Sequence, residues 1–205
     1  MRVHVRRLVD ALLVAAVVGA VALLGLARST PDGIALVDMD GRRVTLDVDP
    51  AAESTDVRAT GGRFQAPSRG VDVPLLEMTA VGGVLNPPTL TDAFLVRDPE
   101  RTAGDRTRPR VVVVHAVRGG RAPGNALLAP EGDAPGVRAG EELWLDGLRY
   151  TVTDTEVLPQ SDVARSPAIW ERQQNGTRRL VVITCVTGGA RTGPASHNLV
   201  VHAVG

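Results

Sequence analysis

Two side chains in this sequence could do covalent chemistry together, and each stands at the end of an apolar run. Cys185 is the only cysteine among 205 residues and closes the run LVVITC, residues 180–185. A thiol becomes a nucleophile as its thiolate, whereas an unreactive free cysteine is usually a small buried hydrophobe. His115 closes a matching run, RVVVVH, residues 110–115. An imidazole beside a thiol stabilises the thiolate and can carry a proton to a leaving group, the minimum for acyl transfer through a covalent intermediate. One cysteine and 4 histidines, scattered along the chain, give none of the usual metal-ligand spacings, so no metal and no organic cofactor is expected.

The elements that must position these side chains read as strands. Val181, Val182 and Ile183 are β-branched, and the cluster Thr187-Gly188-Gly189 marks where the strand stops. Further short strands are expected at residues 71–78, 93–96, 110–115, 142–144, 150–152 and 199–203, separated by turn clusters such as Asn86-Pro87-Pro88 and Asp146-Gly147. Residues 34–37 and 44–48 flank Asp40-Gly41 and predict a hairpin. Residues 49–69 read as linker followed by a first strand with little periodicity. One short helix is expected over residues 166–173, with Ser166 as N-cap and Pro167 in its first turn. Many short strands punctuated by Gly and Pro predict an all-β fold, a closed or nearly closed barrel.

Charge and composition narrow the function classes. Basic and acidic residues balance at 23 each, every basic side chain is arginine, and the aromatics are only Phe64, Phe94, Trp144, Trp170 and Tyr150. Neither a basic field nor a stacking surface for nucleic acid is present. The all-arginine usage resembles that of a high-GC bacterium. Arg2, Arg6 and Arg7 precede the uncharged, mainly apolar residues 11–27, a length at the lower edge of a membrane span. Arginine before the span predicts a cytoplasmic N-terminus and an extracellular remainder. The competing reading is a cleaved signal peptide ending near Gly25-Leu26-Ala27. Both readings export the domain, where an unpaired cysteine is unusual and points to a reactive thiol. The expected organisation is an anchor at 1–28, a stalk with an extra hairpin at 29–69, and a catalytic domain at 70–205.

On these residues the sequence resembles the sortases, cell-wall transpeptidases of Gram-positive bacteria, and most of all the actinobacterial class E and F type. Residues 110–128, RVVVVHAVRGGRAPGNALL, resemble the His-bearing strand and loop of that family. LVVITC resembles its nucleophile strand, HNLVVHA (residues 197–203) its closing strand, and residues 136–162 the linking hairpin and strand. The resemblance implies a closed eight-stranded β-barrel with one or two short helices behind an N-terminal transmembrane helix. It implies cleavage of an LPxTG or LAxTG sorting signal between Thr and Gly by Cys185, with His115 as proton donor. The implied partners are sorting-signal proteins and an amine from a peptidoglycan precursor or a pilin. Thr184 is expected to line the substrate groove.

The sequence departs from the family pattern in one chemically important place. Sortases carry an arginine on the closing strand that stabilises the oxyanion, and here Ser196 or Asn198 stands at that position. Arg191, from the preceding loop, or the Asn198 side-chain N–H could take its place. Val114 also stands before His115 where the family commonly has Gly. The alternative function is a catalytically impaired barrel that binds cell-wall peptides or a partner protein. A third reading, the L,D-transpeptidase type, ranks last because its Gly-Cys-x-Arg setting is absent around Cys185.

Overall fold

The computed structural model describes residues 35–46, 54–80, 85–100, 102, 104–173, 176–188 and 195–205. The expected membrane segment, the proposed anchor at 1–28 and Arg191 lie outside the described residues. No described helix is long and apolar enough to cross a membrane.

In chain order the strands are β1 (Ala35–Val37), β2 (Arg43–Thr45), β3 (Ser54–Ala66), β4 (Val71–Ala80), β5 (Ala93–Val96), β6 (Arg110–Val114), β7 (Glu142–Leu145), β8 (Leu148–Pro159), β9 (Arg179–Cys185) and β10 (His197–Val204). Two single-turn helices, α1 (Gln160–Val163) and α2 (Pro167–Trp170), connect β8 to β9. β1 and β2 form a separate antiparallel hairpin. The other eight strands pair in the order β10-β8-β7-β3-β4-β5-β6-β9, and β9 pairs back onto β10 to close the ring. Two pairs, β4 with β5 and β6 with β9, are parallel.

Alternation along the strands sorts side chains into two apolar layers. Val112 and Val114 of β6, Leu180 and Val182 of β9, and Leu199 and Val201 of β10 join Phe64, Leu143 and Tyr150 in the main core. The alternate residues Val111, Val113, Val181, Ile183 and Val200 form a second layer with Val163 of α1 and Ile169 of α2. With apolar residues needed on both faces, β6 and β9 read as unbroken hydrophobic runs, the pattern of strands buried on both sides. The Asp146-Gly147 turn joins β7 to β8 with both residues at positive φ, 54° and 73°. That is the left-handed conformation a tight two-residue hairpin requires and the reason an Asp-Gly pair suits it.

Two strands run beyond their sequence expectation. β3 begins at Ser54, well inside the stretch read as linker, and its register against β4 shifts between Ala59 and Arg63. Residues 56–61 are exposed and, Val57 and Ala59 apart, polar or glycine, so no apolar alternation announces the strand; among its described side chains only Phe64 and Ala66 reach the core. β8 extends from the expected residues 150–152 to Pro159, through the largely exposed Thr153, Asp154 and Glu156. The expected helix at 166–173 is the single turn α2, with Pro167 at its start. Ser166 makes no side-chain cap there; its backbone carbonyl accepts the N–H groups of Ile169 and Trp170.

Candidate functional site

The register of β6 against β9 sets how far along neighbouring strands the two chemical side chains stand. The parallel pairing runs from Arg110 beside Leu180 to Val113 beside Ile183. Continued by two residues at the same offset, it sets His115 beside Cys185. Val113 and Ile183 belong to the outer layer, so alternation assigns His115 and Cys185 to that same face. On the other side of β9, Asn198 of β10 is the direct cross-strand partner of Cys185. Cys185 and Asn198 thus stand opposite each other on adjacent strands, and His115 follows the end of β6, the strand on the other side of β9.

His115 is held firmly. It is buried, and its Nε2 lies 2.7 Å from the Pro87 carbonyl oxygen. A carbonyl only accepts, so Nε2 carries the proton and Nδ1 is the ring nitrogen left as a base. Burial pushes the imidazole pKa below its ordinary value, against a smaller upward pull from Pro87, and so favours the neutral ring. The backbone carbonyl of His115 accepts the Gly124 N–H at 2.7 Å. A Cβ at Gly124 would come within 2.0 Å of Thr184 Oγ1 and 2.6 Å of that carbonyl, so only glycine permits this approach.

The loop after His115 has its own supports. Asn125 Oδ1 accepts the N–H groups of Val117 at 3.1 Å and Ala122 at 2.9 Å, and its Nδ2 donates to the Val117 carbonyl at 2.9 Å. The β1–β2 hairpin clamps the same loop from outside. Asp38 Oδ2 accepts the Arg121 N–H at 2.9 Å, Met39 N–H donates to the Arg121 carbonyl at 2.8 Å, and Asp40 pairs with the Arg121 guanidinium at 2.9 Å. Val44 of β2 packs with Leu90, Val117 and Ala122. Three backbone N–H groups, from Arg121, Arg42 and Asp40, hold the Asp38 carboxylate below its ordinary pKa, although burial, the largest influence, opposes them.

The cysteine side is barer. Cys185 is partly exposed, and burial of its sulfur pushes the thiol pKa above the ordinary value. The polar side-chain atom near it is Gln160 Nε2, 4.0 Å from Sγ, which draws the thiol pKa back down. Asn198 Oδ1 is buried without a hydrogen-bond partner. Ser196 Oγ engages His197 Nδ1 at 2.9 Å rather than Cys185. Thr184, expected to line the groove, is buried. Alternation turns it to the inner side of β9, where it is 1% exposed against Gly124, with Oγ1 unpartnered. Sequence reading did not single out Gln160, Asn125 or Pro87; the Pro159-Gln160 exit from β8 and the Pro-Gly-Asn turn at 123–125 were the available signals. Among the described residues no three His, Cys, Asp or Glu side chains gather as a metal site.

No protein-family model and no curated protein matches the sequence. The fold is similar to solved sortases of the A and C classes. Sortase A from Corynebacterium diphtheriae, a lid mutant, aligns with a TM-score of 0.51 at 15% identity, over 73% of this chain and 71% of that one. Group B Streptococcus pilus island 1 sortase C2 aligns at 0.50 and 17% identity over 90% and 93%. Sortase C-1 from Actinomyces oris aligns at 0.50 and 17% over 70% and 71%. At these identities the likeness establishes a sortase-like all-β fold.

Proposed function

We propose that this chain is a sortase-type cysteine transpeptidase, exported and held at the membrane by residues 1–28, which cleaves an LPxTG or LAxTG sorting signal between Thr and Gly. The observation that supports the reading is the parallel pairing of β6 with β9, which ends at Val113 beside Ile183, two residues before His115 and Cys185, within a sortase-like fold. The class E and F assignment rests on the sequence resemblance and belongs to the same proposal.

In this reading the Cys185 thiol passes its proton to the imidazole, through the Nδ1 that the Pro87 contact leaves free. The sulfur attacks the carbonyl carbon of the Thr-Gly bond, a C–S bond forms, and the carbonyl electrons move onto oxygen. Collapse of that intermediate breaks the C–N bond, and His115 gives its proton to the departing glycine amine. An amine from a peptidoglycan precursor or pilin then attacks the thioester, loses a proton to the imidazole and releases the sulfur. The oxyanion needs a donor, and the Asn198 side-chain amide opposite Cys185 is the described group in the family arginine's place. Arg191 is the other candidate. Ser196, whose hydroxyl is engaged by His197, ranks behind both.

The lack of a cation at Asn198 favours a second reading, a barrel that binds sorting peptides without turnover. Full-length protein incubated with LPxTG and LAxTG peptides and an amine decides between them. Transpeptidation product together with a Cys185 thioacyl adduct supports the enzyme. Peptide binding that persists in Cys185→Ala, with no product from the parent, supports the binding module.

A further inference from the structure

Gln160 reaches the site by a route that its exposed side chain does not announce. β8 pairs with β10 up to Pro159 beside His197. Proline has no N–H to continue the ladder, but the next residue does, and Gln160 N–H donates to the Ser196 carbonyl at 3.0 Å. The backbone of Gln160 is therefore pinned to the strand whose Asn198 faces Cys185. From that fixed point its Nε2 comes within 4.0 Å of the sulfur, the outer range of an N–H···S contact.

We propose that the Gln160 side-chain amide is a catalytic donor to Cys185, stabilising the thiolate with a neutral N–H where the family pattern uses a cation. This rests on the reading of Cys185 as a nucleophile. A carboxamide at this position gives the sulfur an N–H without a full charge, and Asn198, the second carboxamide, flanks it from β10. His115, which follows β6, has Nε2 engaged by Pro87 and keeps Nδ1 for the proton exchanged with the thiol in that reading, so Gln160 is an uncharged donor additional to it. Asp162 on α1 is paired with Arg165 at 3.1 Å. The direction of the thiol's titration agrees, since Gln160 draws it down against burial.

Cys185 is the single thiol, so its alkylation by iodoacetamide in the full-length chain reads this site alone. The midpoint of alkylation rate against pH reports the thiolate. Gln160→Ala is expected to raise that midpoint by about half a unit, and Gln160→Glu by about one unit or more, because a carboxylate then faces the sulfur. Gln160→Arg lowers it. Gln160 is exposed, and unchanged thermal melting confirms that these variants fold. Midpoints for all three that coincide with the parent overturn the proposal. Alkylation needs no sorting peptide, so the two readings fail separately. Shifted midpoints without peptide turnover sink the transpeptidase and keep the donor; turnover with coincident midpoints sinks the donor alone.

Discussion

The two halves of the candidate site are built to different standards. The imidazole half is braced from several directions: Pro87 holds the ring, Gly124 the backbone carbonyl, Asn125 the loop, and the β1–β2 hairpin holds that loop from outside. The sulfur half has a long contact from Gln160 and a buried, unpartnered Asn198 oxygen. The difference teaches that this chain fixes the orientation of the His115 imidazole and leaves the surroundings of the Cys185 sulfur thinly furnished. Orientation contributes to rate by holding reacting groups in line. Oxyanion donors contribute separately, and loss of one costs about a hundredfold to a thousandfold in rate.

Removing the well-built half has the largest expected effect. His115→Ala lowers turnover of a sorting peptide by about 10²- to 10⁴-fold, the range for loss of a positioned acid or base. Single-turnover kinetics with a labelled peptide check it, and a loss under tenfold would mean that the imidazole is structural. Improving the bare half comes next. Asn198→Arg places a guanidinium opposite Cys185 and is expected to raise kcat by about tenfold or more. An unchanged kcat would show that the carboxamide site, or Arg191, already supplies what a cation would. The smallest effect on chemistry is that of the brace at Gly124. Gly124→Ala forces a Cβ onto the His115 carbonyl and Thr184, with an expected loss of about 1–3 kcal/mol in stability by overpacking. Denaturant unfolding measures it, and unchanged stability would show that the two strand ends move apart freely.

Much of this arrangement was legible in the sequence because β6, β9 and the core part of β10 are buried on both faces and announce themselves as β-branched runs. β5 matches its expected residues 93–96 at both ends for a similar reason. β3 and the far half of β8 were hard to read because one of their faces is solvated and carries Thr, Asp, Glu and Arg. At the candidate site, Cys185 and His115 were singled out by residue type, and Asn198 by counting along the closing strand. Thr184 is buried on the inner side of β9 because neighbours in a strand face opposite ways. Gln160 and Asn125 act through a backbone pin and a loop staple, neither of which leaves a periodic signal.

The central claim is that the two strand ends act as one pair, and the pH dependence of kcat/KM for a sorting peptide tests it most directly. Burial moves the two groups apart, His115 below its ordinary 6.5 and Cys185 above its ordinary 9.0. The reactive thiolate-imidazolium form holds one proton, as the resting neutral pair does, so its share is constant between the two macroscopic values. It falls where the pair gains a second proton in acid or loses its last in alkali. The account predicts a broad bell with an acid limb below about 6.5 and an alkaline limb above about 9. A rate that climbs with pH to a plateau, following an ordinary free thiol with no alkaline limb, would contradict it.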